Sequence, residues 1–125
     1  MVQVLEILKA LADRNRLRIV AVLGRYDELC ACQITELLQV TGASASRHLS
    51  ILCRAGLIAS RKEGRWVYFR LAPSADHASV LQWLEEAGSA SEQLAADVAA
   101  LEKIIGMGRE ELCRMQRGEG CCPRT

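Results

Sequence analysis

The apolar period of this chain changes twice, and those changes limit the folds open to it. Up to Gly56 the apolar residues recur at helical spacing. Val4, Leu5, Leu8 and Leu11 mark a first helix. Asp13 is placed to cap a second one running to Leu23, with Leu17, Val20 and Leu23 facing in and Gly24 following its end. A third helix over about 31–39 buries Ile34, Leu37 and Leu38. After the tight connection Val40-Thr41-Gly42, a fourth over about 43–54 buries Leu49 and Leu52 and stops at Gly56. The period then becomes two. Runs over 57–62 and 65–71 flank Glu63-Gly64, the signal of a β-hairpin with Val67, Phe69 and Leu71 on its apolar face. Pro73 ends the hairpin and Ser74 can cap a long helix. Helical spacing returns from Ala75 to about Ile105, with Gly88 as a break. Gly106 and Gly108 set off a short last helix reaching Gln116. The expected fold is mainly α with one β-hairpin (α+β), in one domain over 1–117. Residues 118–125 form a Cys-containing tail.

Half of the 125 residues are hydrophobic and a quarter are charged, which suits an ordinary globule with a core of its own. No run of 18 apolar residues offers a membrane span, and the N-terminus has no charged-then-apolar leader. A cytoplasmic location is therefore expected, and in that reducing setting the six cysteines are thiols rather than a disulfide framework. The net charge of +1 conceals an uneven distribution. Between Arg47 and Arg70 there are six Lys/Arg against one acid, Glu63, whereas 71–125 carries nine Asp/Glu against five Lys/Arg. A local basic stretch of this kind can hold phosphates on a nearly neutral chain.

Two short helices joined by a Gly-containing turn fit a helix-turn-helix, and the hairpin directly after them fits a wing. The start of the fourth helix carries Ser44, Ser46, Arg47 and His48, residue types that reach base edges and phosphates. The hairpin tip carries Arg61, Lys62 and Arg65. These seven are the expected DNA-binding residues, on double-stranded DNA. The apolar stripe Leu94, Val98, Leu101, Ile105 has little left to pack on in so small a domain except another terminal helix or a partner chain. With Leu5 and Leu8 of the first helix, it is the expected homodimer interface.

Several segments in order, Leu8 to Arg18, Glu28-Leu29-Cys30-Ala31-Cys32, Ser46-Arg47-His48-Leu49, Ala55-Gly56-Leu57 and Arg61 to Arg70, resemble the ArsR family of winged-helix metalloregulators. The resemblance covers about residues 4–73 and is closest to arsenical-resistance operon repressors. It implies a winged helix-turn-helix, a homodimeric repressor whose fourth helix reads an operator, and loss of DNA affinity on binding a metal or metalloid. It further implies that Cys30 and Cys32 hold trivalent arsenic or antimony, the inducer, with no catalytic cofactor.

The chemistry of the residues agrees with that implication. Thiolates select soft ions, and the positive end of the third helix favours the thiolate form. Residues two apart in a regular helix point to nearly opposite sides, so Cys30 and Cys32 can share one ion only if the helix start is extended or unwinds. Many of these repressors carry another cysteine three residues on, where this chain has Thr35. A third sulfur must then come from Cys113, Cys121 or Cys122, or the site uses two. Cys53, on the fourth helix, reads as packing or incidental. A zinc site along the C-terminal helix would need more than Asp76 and His77, which read as a cap and a surface residue. Two alternatives keep DNA binding but change the signal: thiol oxidation, or cadmium or lead. An enzyme reading lacks a Cys-x-x-Cys or a nucleophile with its base, and a metalloid carrier would not need the basic wing.

Overall fold

A computed structural model describes residues 2–72, 78–88, 91–108, 110–112 and 116. Helices α1 (Val2–Leu11) and α2 (Arg14–Leu23) meet at Asp13, whose carboxylate accepts from the backbone N–H groups of Asn15 and Arg16 at 2.9 and 3.1 Å. Burial pushes the Asp13 carboxyl up. The Arg16 amide, the charges of Arg16 and His48, and the Asn15 amide outweigh it and hold the group below its ordinary value. Helix α3 (Ala31–Leu38) ends at Gln39 in the left-handed region, φ 56°, and α4 (Gly42–Arg54) begins at Thr41, whose hydroxyl accepts from Ser44 N–H. Gly56, at φ 80°, turns the chain into β2 (Ile58–Glu63), which pairs antiparallel with β3 (Trp66–Leu71). Glu63 pairs with Trp66, so the two-residue loop is Gly64-Arg65, one position later than expected, with Gly64 at φ 62° where a tight hairpin turn needs glycine.

A third strand has no counterpart in the sequence pattern. Leu29–Cys30 forms β1 and pairs with Phe69 and Tyr68, making a sheet of order β1-β3-β2. A strand of two residues is too short for any alternation to register.

The helices pack around one core in which Ile19, Leu29, Ile34, Leu52, Leu57, Leu101 and Leu112 are fully buried. Ile34, Leu37, Leu38, Leu49 and Leu52 face inward as their spacing requires. On α2 the inward face is Ile19, Val20, Val22 and Leu23, while Leu17 turns outward.

The C-terminal half breaks at Gly88 into α5 (Ala78–Gly88) and α6 (Glu92–Met107), the latter capped by the Ser91 hydroxyl on Leu94 N–H. Pro73, Ser74 and the expected start of this half at Ala75 lie outside the described residues. Helix α6 corrects the expected interface stripe. Leu94 and Leu101 lie in this chain's own core, Leu101 with no exposed surface, and Ile104 rather than Ile105 faces inward. The buried seam is therefore Leu94, Asp97, Leu101 and Ile104. Asp97 is drawn in because its carboxylate accepts from Arg18 Nε and Nη2, each at 3.0 Å, and from Gln93 Nε2 at 3.0 Å. A charged residue at a core position hid the true face, because the apolar pattern alone reads one residue further round the helix. Val98 is half-buried, and Ile105, Leu5 and Leu8 stay exposed, so only these four of the six expected interface residues remain open to a partner. Leu101→Asp is consequently a core-disrupting change.

Candidate thiol site and nucleic-acid interface

Cys30 is the N-cap of α3 and lies in extended backbone, φ −75° and ψ 151°, while Cys32 is inside the first turn. Of the two routes by which these cysteines can converge, the extended start is the one adopted. The Cys32 thiol donates to Cys30 Sγ at 3.2 Å, and both side chains are completely buried. The corner is fastened by Cys30 N–H donating to Gln33 Oε1 at 2.8 Å. Thr35, at the third-cysteine position, is buried and turns its hydroxyl back to Ala31 C=O at 2.8 Å. It takes no part in the thiol pair.

This donor set fits a soft ion. Sulfurs 3.2 Å apart, with metal–sulfur bonds of about 2.3 Å, subtend about 90° at the ion; a tetrahedral centre would hold them about 3.8 Å apart. Among the described residues no group of three or more His, Cys, Asp or Glu could hold a metal ion, so the pair stands as two thiols. Cys113, Cys121, Cys122, Asp76 and His77 lie outside the described residues. Gln116 does not: its Nε2 donates to Cys32 C=O at 3.3 Å and to Glu36 Oε1 at 3.0 Å. No local sequence signal announces this contact between the chain's C-terminal part and the thiol corner. Cys53 lies on α4, and burial pushes its thiol up, which disfavours the anionic ligand form.

The expected DNA residues fall on one helix and one hairpin. On α4, Ser46 and Arg47 are exposed and Ser44 is half-buried near the cap. His48 instead turns toward α2, with Nδ1 3.2 Å from Arg16 Nη1 and 3.8 Å from Asp13 Oδ2. Its Nδ1 thus accepts from the Arg16 guanidinium, beside the capping carboxylate, and the ring lies against α2. On the wing, Lys62 is exposed, and Arg65 lies over the Trp66 ring at 4.9 Å and 4.0 Å from Glu110. Arg61 is the most restrained of these cations. Its Nε and Nη2 donate to the two Glu28 oxygens at 2.6 and 2.8 Å, its Nη1 donates to Glu63 at 2.7 Å, and it stacks on Tyr68 at 4.7 Å. The Arg61 hydrogen bonds hold the Glu28 carboxyl below its ordinary value against burial, with the charges of Arg61 and Arg70 adding to the effect. No helix among the described residues is long and apolar enough to cross a membrane.

Comparison with known proteins places these features in a lineage. Residues 13–60 match the model of the bacterial regulatory protein arsR family. An arsenical resistance operon repressor from Bacillus subtilis strain 168 is 32% identical over 116 residues, 91% of this chain and 84% of that protein. The arsenic resistance transcriptional regulator ArsR1 of Pseudomonas putida KT2440 is 39% identical over 79 residues, 63% of this chain. There the matched region spans only 58% of the relative's length. Regulators named for cadmium resistance match as well. Among solved structures, HlyU from Vibrio cholerae N16961 superposes with a TM-score of 0.61 at 29% identity, covering 68% of this chain and 90% of that one. The sheet beside a helix-turn-helix is thus a winged helix, and the resistance relatives are named as repressors and transcriptional regulators rather than enzymes. The chain belongs to the ArsR family of bacterial regulatory proteins.

Proposed function

We propose that the chain is a homodimeric transcriptional repressor that leaves its operator when Cys30 and Cys32 bind trivalent arsenic or antimony. The observation that carries this reading is the buried thiol pair, 3.2 Å apart, at the cap of the helix preceding α4. Two buried thiols side by side suit a soft, thiophilic ion rather than a hard one. DNA contact is assigned to Ser44, Ser46 and Arg47 on α4 and to Lys62 and Arg65 on the wing, with Arg61 and His48 joining only after leaving their present partners. Dimerisation is assigned to the outer face of α1, where Leu5 and Leu8 are each about half exposed, together with Val98 and Ile105.

A third sulfur is assigned to the C-terminal cysteines, with Cys121 and Cys122 ahead of Cys113. Gln116 rests on the Cys32 carbonyl. Five residues of extended chain reach about 17 Å, more than the length of α3, about 12 Å. Cys121 therefore has ample tether to meet the thiol pair of its own chain.

The test is DNA binding by fluorescence anisotropy, on a duplex selected from a random library, with and without arsenite, antimonite, cadmium and zinc. Arsenite and antimonite should release wild-type protein. Cys30→Ser and Cys32→Ser should bind DNA and ignore both, since a hydroxyl is a hard, poorly ionised ligand. Deleting residues 119–125 should weaken the response to arsenite more than to an organoarsenical, which needs two sulfurs. Full arsenite response in the double serine variant would refute the assignment. A redox reading is favoured by the same sulfur contact: an oxidant such as peroxide would take two electrons and two protons to join the sulfurs. DNA release by peroxide alone, reversed by a monothiol reductant, would select it.

A further inference from the structure

We infer that Glu28 and Arg61 are positioning residues that carry occupancy of the thiol pair to the DNA-binding wing. The inference rests on the thiol-sensing reading above and concerns the route by which that site acts. The sheet places three residues in one row across its strands: Cys30 on β1 faces Tyr68 on β3, and Tyr68 faces Arg61 on β2. Directly paired residues share a face of the sheet. The sensor cysteine, the aromatic ring and the wing cation therefore lie side by side. Glu28 stands two residues before Cys30, and its carboxylate grips Arg61 through two hydrogen bonds.

This bridge spans the sheet. Neighbouring strands lie about 4.8 Å apart, so β1 and β2 are separated by about 10 Å with β3 between them. The guanidinium crosses that gap over the Tyr68 ring at 4.7 Å and joins the two edges directly. β1 has only two residues, so its own ladder gives it a weak hold on the sheet. The bidentate pair is a further attachment, beside the burial of Leu29 and the Cys30 bond to Gln33, and the geometry of a fork on a carboxylate makes it directional.

The thiols are completely buried, so an ion can reach them only if this corner opens. In this inference the segment displaced by the ion is 28–30, which carries Cys30 and joins the turn before it to the cap of α3. Displacing that segment moves the Glu28 carboxylate, and the carboxylate takes Arg61 and the β2 side of the wing with it. While the pair holds, three of the five Arg61 N–H groups are committed to carboxylates, which lowers what the guanidinium offers a phosphate. Glu28 thus acts on the wing twice, as a tether and as a competitor of the DNA backbone for one guanidinium.

The experiment compares wild type, Glu28→Gln and Glu63→Gln. The glutamine variants each remove one negative charge near Arg61, but only the first cuts the link between β1 and β2. Anisotropy titrations give DNA affinity against salt for metal-free protein, and again with saturating arsenite. Arsenite stoichiometry and circular dichroism check that the thiols and the fold are unchanged. Glu28→Gln should steepen the salt dependence of metal-free binding by about one phosphate contact as Arg61 is released. It should also reduce the arsenite-induced loss of affinity several-fold, out of the roughly 5- to 150-fold usual for coupled sites. Glu63→Gln should keep the wild-type ratio. An unchanged ratio in Glu28→Gln, or an equal fall in both variants, overturns the inference. Absence of arsenite release in wild type would instead defeat the thiol-sensing reading. The salt dependence of metal-free Glu28→Gln would then decide alone, an unchanged slope overturning the restraint on Arg61.

Discussion

Replacing Asp97 with Ala tests how the C-terminal helix is used. The Asp97 carboxylate is 3% exposed and accepts two hydrogen bonds from Arg18 and one from Gln93. Its loss leaves the Arg18 guanidinium, 18% exposed, with only the neutral acceptors Asn15 Oδ1 and Leu37 C=O. Breaking a buried pair by removing one partner costs about 3–5 kcal/mol. The two remaining acceptors place this case near 3 kcal/mol, a large share of the roughly 5–15 kcal/mol that holds a domain folded. For a chain of this size that corresponds to a fall in Tm of about 10–15 °C. Urea unfolding followed by circular dichroism, over a wide range of protein concentration, measures it. Because Arg18 and Asp97 belong to one chain, the loss should be the same at every concentration, whereas a pair made across a dimer would give a loss that varies with it. The double change Arg18→Met with Asp97→Leu should recover most of the stability, since an apolar pair of similar volume avoids the cost of desolvating two charges. A loss under about 1 kcal/mol, the value of a surface pair, would refute the placement of α6 in the core.

Arg47→Ala should weaken specific DNA binding by about 1–3 kcal/mol, and Arg65→Ala should weaken binding to all duplexes while lowering the salt slope by about one; filter-binding or anisotropy against salt separates the two. Leu8→Asp, on an exposed face of α1, should give a folded monomer by sedimentation; a wild-type chain that is already monomeric at micromolar concentration would remove the dimer from the proposal. The lowered Asp13 carboxyl predicts an acid-sensitive α2 cap. A carboxyl whose folded value lies below its unfolded one stabilises the fold above the ordinary 3.8, and that contribution disappears as pH falls through the lowered value. Asp13→Asn should therefore be less stable than wild type at neutral pH and lose less on acidification, as read from urea midpoints between neutral and acid pH.

Much of this molecule was legible because its signals are local. The Asp13 cap, the Gly56 stop, the hairpin and the inward faces of α3 and α4 each depend on residues a few positions apart. The Cys30 and Cys32 pair was legible as a candidate for the same reason. Its working geometry was legible only as a choice between an extended and an unwound helix start. The backbone of Cys30 made that choice, because β1 pairs with β3 and holds the cap residue extended. What escaped the sequence depends on partners far along the chain. Arg61 reads as a free cation until Glu28, 33 positions away, is folded beside it. His48 reads as a groove-facing residue until Asp13 and Arg16 appear beneath it.

The amino-acid sequence by itself determined the order of helices and hairpin, the basic stretch from Arg47 to Arg70, and the presence of two soft ligands before the helix-turn-helix. These are set by period, charge and residue type, which need no knowledge of the rest of the chain. Tertiary structure alone decided which face of α6 is buried, which wing cation is paired with Glu28, and that Gln116 returns to the Cys32 carbonyl. Each of those arises from a buried or bidentate polar contact across the fold. Such contacts outweigh the local apolar pattern, because a charge or amide out of water must find its partner wherever the chain supplies one.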